Sequence, residues 1–154
     1  MQTTEYFTKH TNPHSRKSSG FTLIEIMIVM VIIAMLAALV GPRVMGALSS
    51  SKIKATKIQL ETLSASVEAF NLDTGRFPTQ LEGLQVLVEN PEKTPIKNWR
   101  GPYLKKNKVP GDEWGNPFVY EIPSKHKMPF DIYSLGADGK IGGTGDDAEL
   151  GNWD

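Results

Sequence analysis

The chain has no cysteine in its 154 residues. Disulfide staples and thiol chemistry are therefore excluded, and so is a lipoprotein signal, which needs a cysteine to carry its lipid. Charge of either sign in excess is also missing, since 17 Lys and Arg balance 17 Asp and Glu. Without a basic surplus the chain lacks the electrostatic footprint of a nucleic-acid binder. Histidine is scarce: His10 and His14 fall in the first 20 residues, which leaves His126 between Lys125 and Lys127. No nucleophile elbow, phosphate-cradling glycine loop or zinc-type ligand cluster occurs, so no catalytic residue is assigned and an enzyme is not expected. His126 reads as a surface histidine. No internal repeat or low-complexity tract is visible.

What the chain does have is a long apolar run. Residues 21–40 are mostly Ile, Leu, Val, Met and Ala, and Glu25 is their only formal charge. As a helix, this run spans about 30 Å, the thickness of a bilayer's hydrocarbon core. A carboxylate at membrane depth is costly, by about 2.5–3.5 kcal/mol near a helix centre and less near an end. Such a charge implies a partner. A cut after Gly20 would create one, the new α-amino group of Phe21, in the same chain or in a neighbour's. The preceding residues carry Lys9, Arg16 and Lys17 against Glu5 and read as a polar leader. Ala34, Ala37 and Ala38 lack the Ala-x-Ala spacing of an ordinary secretory cleavage site. Orientation does not follow from charge, because Arg43, Lys52, Lys54 and Lys57 follow the run.

Beyond Gly41-Pro42, Ile53, Leu60, Leu63, Val67 and Phe70 recur at spacings of seven, three, four and three. This amphipathic stripe predicts one helix over about residues 21–72, weakened around Gly41-Pro42, where proline removes a backbone hydrogen bond. Asp73-Thr74-Gly75 and Pro78 end it. Thr79 and Glu82 form a capping-box pattern before Leu81, Leu84, Leu87 and Val88, which predicts a second helix of about ten residues over 80–89. Residues 90–115 carry Pro91, Pro95, Pro102 and Pro110 and predict an ordered, irregular loop. Its Trp99, Tyr103, Leu104 and Trp114 are expected to pack rather than to bind ligand. Strands are predicted at 118–122 and 131–135, paired as an antiparallel hairpin against the long helix. About 110 residues follow the apolar run, enough for one small domain.

Near the C-terminus, residues 136–147 hold five glycines with Asp138, Asp146 and Asp147. A solvated acidic turn is one reading of this composition. A calcium site is the other, since Ca²⁺ takes six to eight oxygens from carboxylates and carbonyls at sharp bends. Lys140 stands where an EF-hand needs an oxygen ligand. A calcium-binding nonapeptide repeat is also excluded, because the pattern occurs once and Glu149 replaces its apolar residue.

Gly20-Phe21-Thr22-Leu23-Ile24-Glu25 and the apolar helix resemble the class III signal of type IV pilins and type II secretion pseudopilins. Ser134-Leu135-Gly136-Ala137-Asp138-Gly139, Asp146-Asp147 and Gly151-Asn152-Trp153 resemble the C-terminal region of the major pseudopilins. So do 72–79 with Glu82-Gly83-Leu84 at the helix exit, and Trp99-Arg100-Gly101-Pro102-Tyr103-Leu104 with Asp112-Glu113-Trp114-Gly115-Asn116-Pro117 in the central loop. The family more usually has Asp-Pro-Trp-Gly where this chain has Glu113.

The resemblance implies a type IV pilin-like α+β fold: a long N-terminal helix, apolar and membrane-spanning in its first half and amphipathic in its second, packed on a small antiparallel sheet with a C-terminal calcium loop. It divides the chain into a leader, 1–20, removed by prepilin peptidase; a transmembrane and assembly helix, 21–42; and a periplasmic domain, 43–154. Cleavage after Gly20 on the cytoplasmic side would be followed by methylation of Phe21. Glu25 would neutralise the Phe21 amine of an adjacent subunit. A structural Ca²⁺ would be held by the side chains of Asp138, Asp146 and Asp147 and the carbonyls of Leu135 and Lys140. The implied function is a structural major subunit of the type II secretion pseudopilus. The subunit would be single-pass in the bacterial inner membrane and would polymerise with itself, minor pseudopilins and an assembly platform to drive export of folded proteins. The alternative is a type IV pilin of an adhesive or motility fibre. Those pilins commonly close their C-terminal region with a cysteine pair, which this chain lacks.

Overall fold

The computed structural model describes residues 20–154, so the leader expected over 1–20 lies almost wholly outside the described residues. One helix, α1, runs over Leu23–Thr74. Gly41 and Pro42 both lie inside it, and the expected weak point is helical throughout. The chain divides into two compact units after Gly41. The described part of the first is helical from Leu23 onward, and its large apolar side chains, Ile24, Met27, Val31 and Leu36 among them, are exposed.

In the second unit the amphipathic stripe does what its spacing requires. Leu60, Leu63, Val67 and Phe70 are buried and form one core with Leu84, Val86, Leu87, Phe118, Tyr120, Phe130, Ile132 and Leu150. Each such side chain contributes about 1.5–3 kcal/mol through its removal from water. Gly75, at φ 77°, caps α1, its N–H donating to Asn71 O at 2.8 Å.

The expected ten-residue helix over 80–89 is shorter: a turn over 80–82 leads into a 3₁₀-helix, Gly83–Leu87. Gly83 stands at φ 56°, a left-handed conformation that stops a regular helix from crossing it. The capping box still closes, one turn earlier than a helix start. Thr79 N–H donates to Glu82 Oε2 at 2.8 Å and Glu82 N–H to Thr79 Oγ1 at 3.3 Å. Arg76 explains why, since its guanidinium grips both Glu82 oxygens at 2.7 and 2.6 Å and anchors the box to the helix exit.

The sheet has three strands in the order β1-β2-β3, with β1 at Val119–Glu121, β2 at Asp131–Ser134 and β3 at Leu150–Gly151. The predicted hairpin is present, antiparallel, with Tyr120 opposite Ile132 and Glu121 opposite Asp131. β3 was not expected. It pairs antiparallel with β2, Tyr133 opposite Gly151 and Ser134 opposite Leu150. Asn152 extends it, its N–H donating to Ile132 O and its Oδ1 accepting from Ile132 N–H, both at 3.0 Å.

The central loop is ordered by its aromatics, as expected. Trp99 Nε1 donates to Val86 O at 2.7 Å, Tyr103 meets Phe70 edge-on, and Leu104 is buried.

Candidate functional site

Two regions carry the residues singled out by the sequence. At the first, Glu25 lies in the opening turn of α1, exposed, and its Oε2 accepts from Thr22 N–H at 2.8 Å and from Thr22 Oγ1 at 2.9 Å. Glu25 N–H in turn donates to Thr22 Oγ1 at 3.3 Å. The pair is a reciprocal capping box, and the spacing of Thr22-Leu23-Ile24-Glu25 is its sequence signal. Glu25 therefore satisfies orphan donors of its own helix and remains exposed. Gly20 and Phe21 precede the helix, also exposed.

The second region begins where β2 ends. Ser134 is buried, and its hydroxyl donates to Asp112 Oδ2 at 2.5 Å while accepting from Gly136 N–H at 3.0 Å. Gly136 stands at φ 72°, and a Cβ there would lie 2.7 Å from Asp146 O and 2.8 Å from the Asp147 carbonyl carbon. Glycine is thus required where the two ends of the acidic loop meet. Ala137 N–H closes that meeting, donating to Asp146 O at 2.7 Å. Asn116 Nδ2 donates to Gly136 O at 2.7 Å from the neighbouring turn.

Within the loop, the three aspartates take different partners. Asp138 is exposed and its Oδ1 accepts from Lys140 N–H at 3.0 Å. Asp146 and Asp147 occupy a single 3₁₀ turn, Gly145–Asp147. Asp146 Oδ1 accepts from Ser49 Oγ of α1, whereas Asp147 is exposed. Glu149 Oε1 accepts from Gly142 N–H across the loop. Among the described residues no three His, Cys, Asp or Glu side chains come together closely enough to hold a metal ion. The backbone thus brings Gly136 and Ala137 against Asp146 and Asp147, but the carboxylates of Asp138, Asp146 and Asp147 form no such group.

Asp112 was not singled out by the sequence, yet it organises the approach to this loop. Although it is 7% exposed, its Oδ1 accepts from Trp114 N–H at 3.0 Å and Asn116 N–H at 2.8 Å. The Asp-x-Trp-Gly-Asn order is an Asx-turn signal that could have identified it. Glu113 supplies an N–H that donates to the buried Thr56 Oγ1 of α1 at 3.3 Å, a bond a proline there could not make.

His126 is half-exposed, but it is not free. Its Nδ1 lies 3.0 Å from Asp131 Oδ2, and the Asp131 side chain is fully buried. Burial pushes the Asp131 carboxyl up, yet hydrogen bonds from Ser124, Lys125 N–H and His126 together hold it below its ordinary value. An ionised carboxylate there places a proton on Nδ1. The Ser124 hydroxyl beside this pair donates to Asp131 Oδ1 at 2.5 Å and accepts from the His126 backbone N–H, so it buttresses the carboxylate instead of facing the imidazole.

Residues 43–153 match the family model of type II secretion system protein G. Residues 15–41 match the prokaryotic N-terminal methylation motif. The type II secretion system core protein G of Pseudomonas aeruginosa is 48% identical over 141 residues, covering 90% of this chain and 97% of that protein. Its counterpart in Vibrio cholerae is 37% identical over 139 residues, covering 90% and 93%. The crystal structure of the major pseudopilin from the type 2 secretion system of enterohaemorrhagic Escherichia coli matches with a TM-score of 0.59 at 30% identity. It covers 71% of this chain and 92% of that one. These matches do not favour a pilin of an adhesive or motility fibre. The chain belongs to the protein G family of the type II secretion system, a family of structural pseudopilin subunits and not of enzymes.

Proposed function

We propose that this chain is the major structural subunit of a type II secretion pseudopilus, held in the inner membrane by the first half of α1 until it is drawn into the filament. The observation that carries the reading is the bare apolar surface of residues 21–40, broken by one charge at Glu25. Such a surface needs lipid or other helices to cover it, and a filament core supplies the second when the first is lost. Prepilin peptidase would cut after Gly20 and methylate the Phe21 amine, which would then pair with Glu25 of an adjacent subunit. Residues 1–20 are the leader in this reading, 21–42 the membrane and assembly helix, and 43–154 the periplasmic domain. Self-polymerisation, with minor pseudopilins and an inner-membrane assembly platform, would push folded proteins toward the outer membrane.

The acidic loop is read as a structural calcium site, standing in for the disulfides the chain lacks. The donors suit a hard divalent cation in kind: three carboxylates and the carbonyls of Leu135 and Lys140. The close approach at Gly136 supports this, because it already brings the loop's two ends together. Asp138, Asp146 and Asp147 would hold the ion once the Asp146 side chain turns from Ser49.

Mass spectrometry of the membrane-isolated protein tests the first reading. The expected chain begins at Phe21 and carries one added methyl group, and an intact Met1 start overturns it. Thermal melting tests the second. Calcium should raise the melting temperature of the unaltered protein over chelator and leave Asp138→Ala unmoved; identical melts of the unaltered protein overturn it.

A further inference from the structure

Within the second compact unit α1 carries two stripes, and the domain core uses one of them. That one runs from Ile53 through Leu60 and Leu63 to Phe70 and faces inward. On the other side of the helix, alternating steps of four and three from Val44 to Leu72 mark out nine positions, none of them charged. Leu48 and Ile58 lie on this line, and its other five members are Ala, Ser or Thr. Ile58 is 63% exposed and Leu72 84%, and no residue of the line is buried. The Thr62 hydroxyl donates to Ile58 O at 2.9 Å, so it adds no unmet donor to the surface. A helix face turned to water ordinarily carries charge. Four-and-three spacing without charge is the seam of a coiled coil, made to be covered by another helix.

We propose that this line is a docking seam for α1 of a second copy, laid parallel and displaced by two heptads. This rests on the self-polymerising reading above and adds to it the surface and the register. The charges bordering the seam choose between registers, because flanking positions of two parallel helices face each other across it. With no displacement, Glu68 faces Asp73 of the second copy and no opposite charges meet. A displacement of one heptad sets Lys52 against Lys54 and Glu61 against Asp73. Two heptads, about 21 Å along the axis, bring Lys52 to Glu61 and Lys54 to Asp73, with no like charges opposed. Two of these groups are already held in place: Lys52 Nζ lies over Trp114, 6.0 Å from the ring centroid, and Asp73 Oδ2 accepts from the Tyr103 hydroxyl at 3.0 Å. The first half of one seam then lies on the second half of the other. Two different patches meet, so the contact has no two-fold symmetry to close it, as an open fibre requires.

Because the chain has no cysteine, disulfide trapping of the full chain in assembled filaments reads the register without background. Ser51→Cys combined with Ala65→Cys puts thiols two heptads apart, opposite each other between copies, and should give covalent dimers and larger species on mild oxidation. Either substitution alone should leave the chain monomeric. Added to the double variant, Glu61→Lys should cut the cross-linked fraction about 2- to 5-fold, and Lys52→Glu on top of it should restore the yield. Ala65→Trp, at an exposed position, should abolish filaments at an unchanged melting temperature. If the double variant forms filaments in electron micrographs yet stays monomeric on oxidation, the seam is refuted and self-polymerisation remains. Self-linking of either single variant would show an undisplaced pairing and overturn the register. If the unaltered protein forms no filaments, the proposed function itself is refuted, and the seam with it.

Discussion

The imidazole of His126 lies flat on the indole of Trp153, with ring centroids 3.6 Å apart and planes 14° apart. Behind it stands the buried Asp131 carboxylate, and beside Trp153 is Tyr133, with centroids 5.6 Å apart. The last residues of the chain are thus fastened through one half-exposed histidine to the second strand. Trp153→Ala should lower unfolding stability by about 1–2 kcal/mol, from the lost stacking and apolar contact. His126→Ala should cost less, because Ser124 and Lys125 still satisfy Asp131. Urea denaturation followed by circular dichroism measures both, and a Trp153→Ala curve that overlays the unaltered one would contradict this seating of the tail.

Asp112 should be less replaceable than any ligand candidate when no ion is present. Its carboxylate accepts two backbone N–H groups and the Ser134 hydroxyl in a buried setting. Asp112→Ala leaves these donors unmet and should cost about 2–4 kcal/mol. Asp112→Asn, which keeps acceptor capacity, should recover part of the loss in the same denaturation experiment.

Acid should loosen the helix exit. The Arg76 hydrogen bonds beside Glu82 hold its carboxyl down, from 4.5 to about 2, against a burial effect that pushes it up. A depressed folded-state pKa stabilises above the unfolded value and ceases to do so as protons arrive. The contribution is therefore present above about pH 4.5 and disappears between there and about pH 2. Because Arg76 is 40% exposed, solvent screening limits it to about 1 kcal/mol. Glu82→Gln should flatten the stability–pH profile across that window, and an unchanged slope would show that the pair is silent.

Glu25 caps its own helix, and the proposed assembly would add a second role, meeting a neighbour's amine. Glu25→Gln keeps a side-chain oxygen for the Thr22 N–H but removes the charge, whereas Glu25→Ala removes both. If the charge drives assembly, both variants should be processed and stay in the membrane yet form few filaments and secrete poorly. Normal filaments from Glu25→Gln alone would assign the residue to capping.

Much of this was legible because the apolar spacing is periodic and long. The stripe from Leu60 to Phe70 has a single helical solution, and the hairpin follows from β-rich runs on either side of a turn. The 80–89 segment misled because its apolar spacing suggests a helix, while Gly83 and the grip of Arg76 on Glu82 decide the backbone. β3 was invisible at two residues, too short for alternation to register; its position comes from pairing with β2 and from Asn152. At the acidic loop, composition gave the residues but not their partners. The tie between Ser49 and Asp146 spans 97 positions and leaves no local trace.

β3 contributes only Leu150 and Gly151, yet those two residues cover one side of β2. Remove their pairing and the helix and hairpin remain, but β2 is left with unpaired backbone groups along that side. Such an edge invites pairing with another chain. Two residues thus separate a closed sheet from one that can recruit a foreign strand.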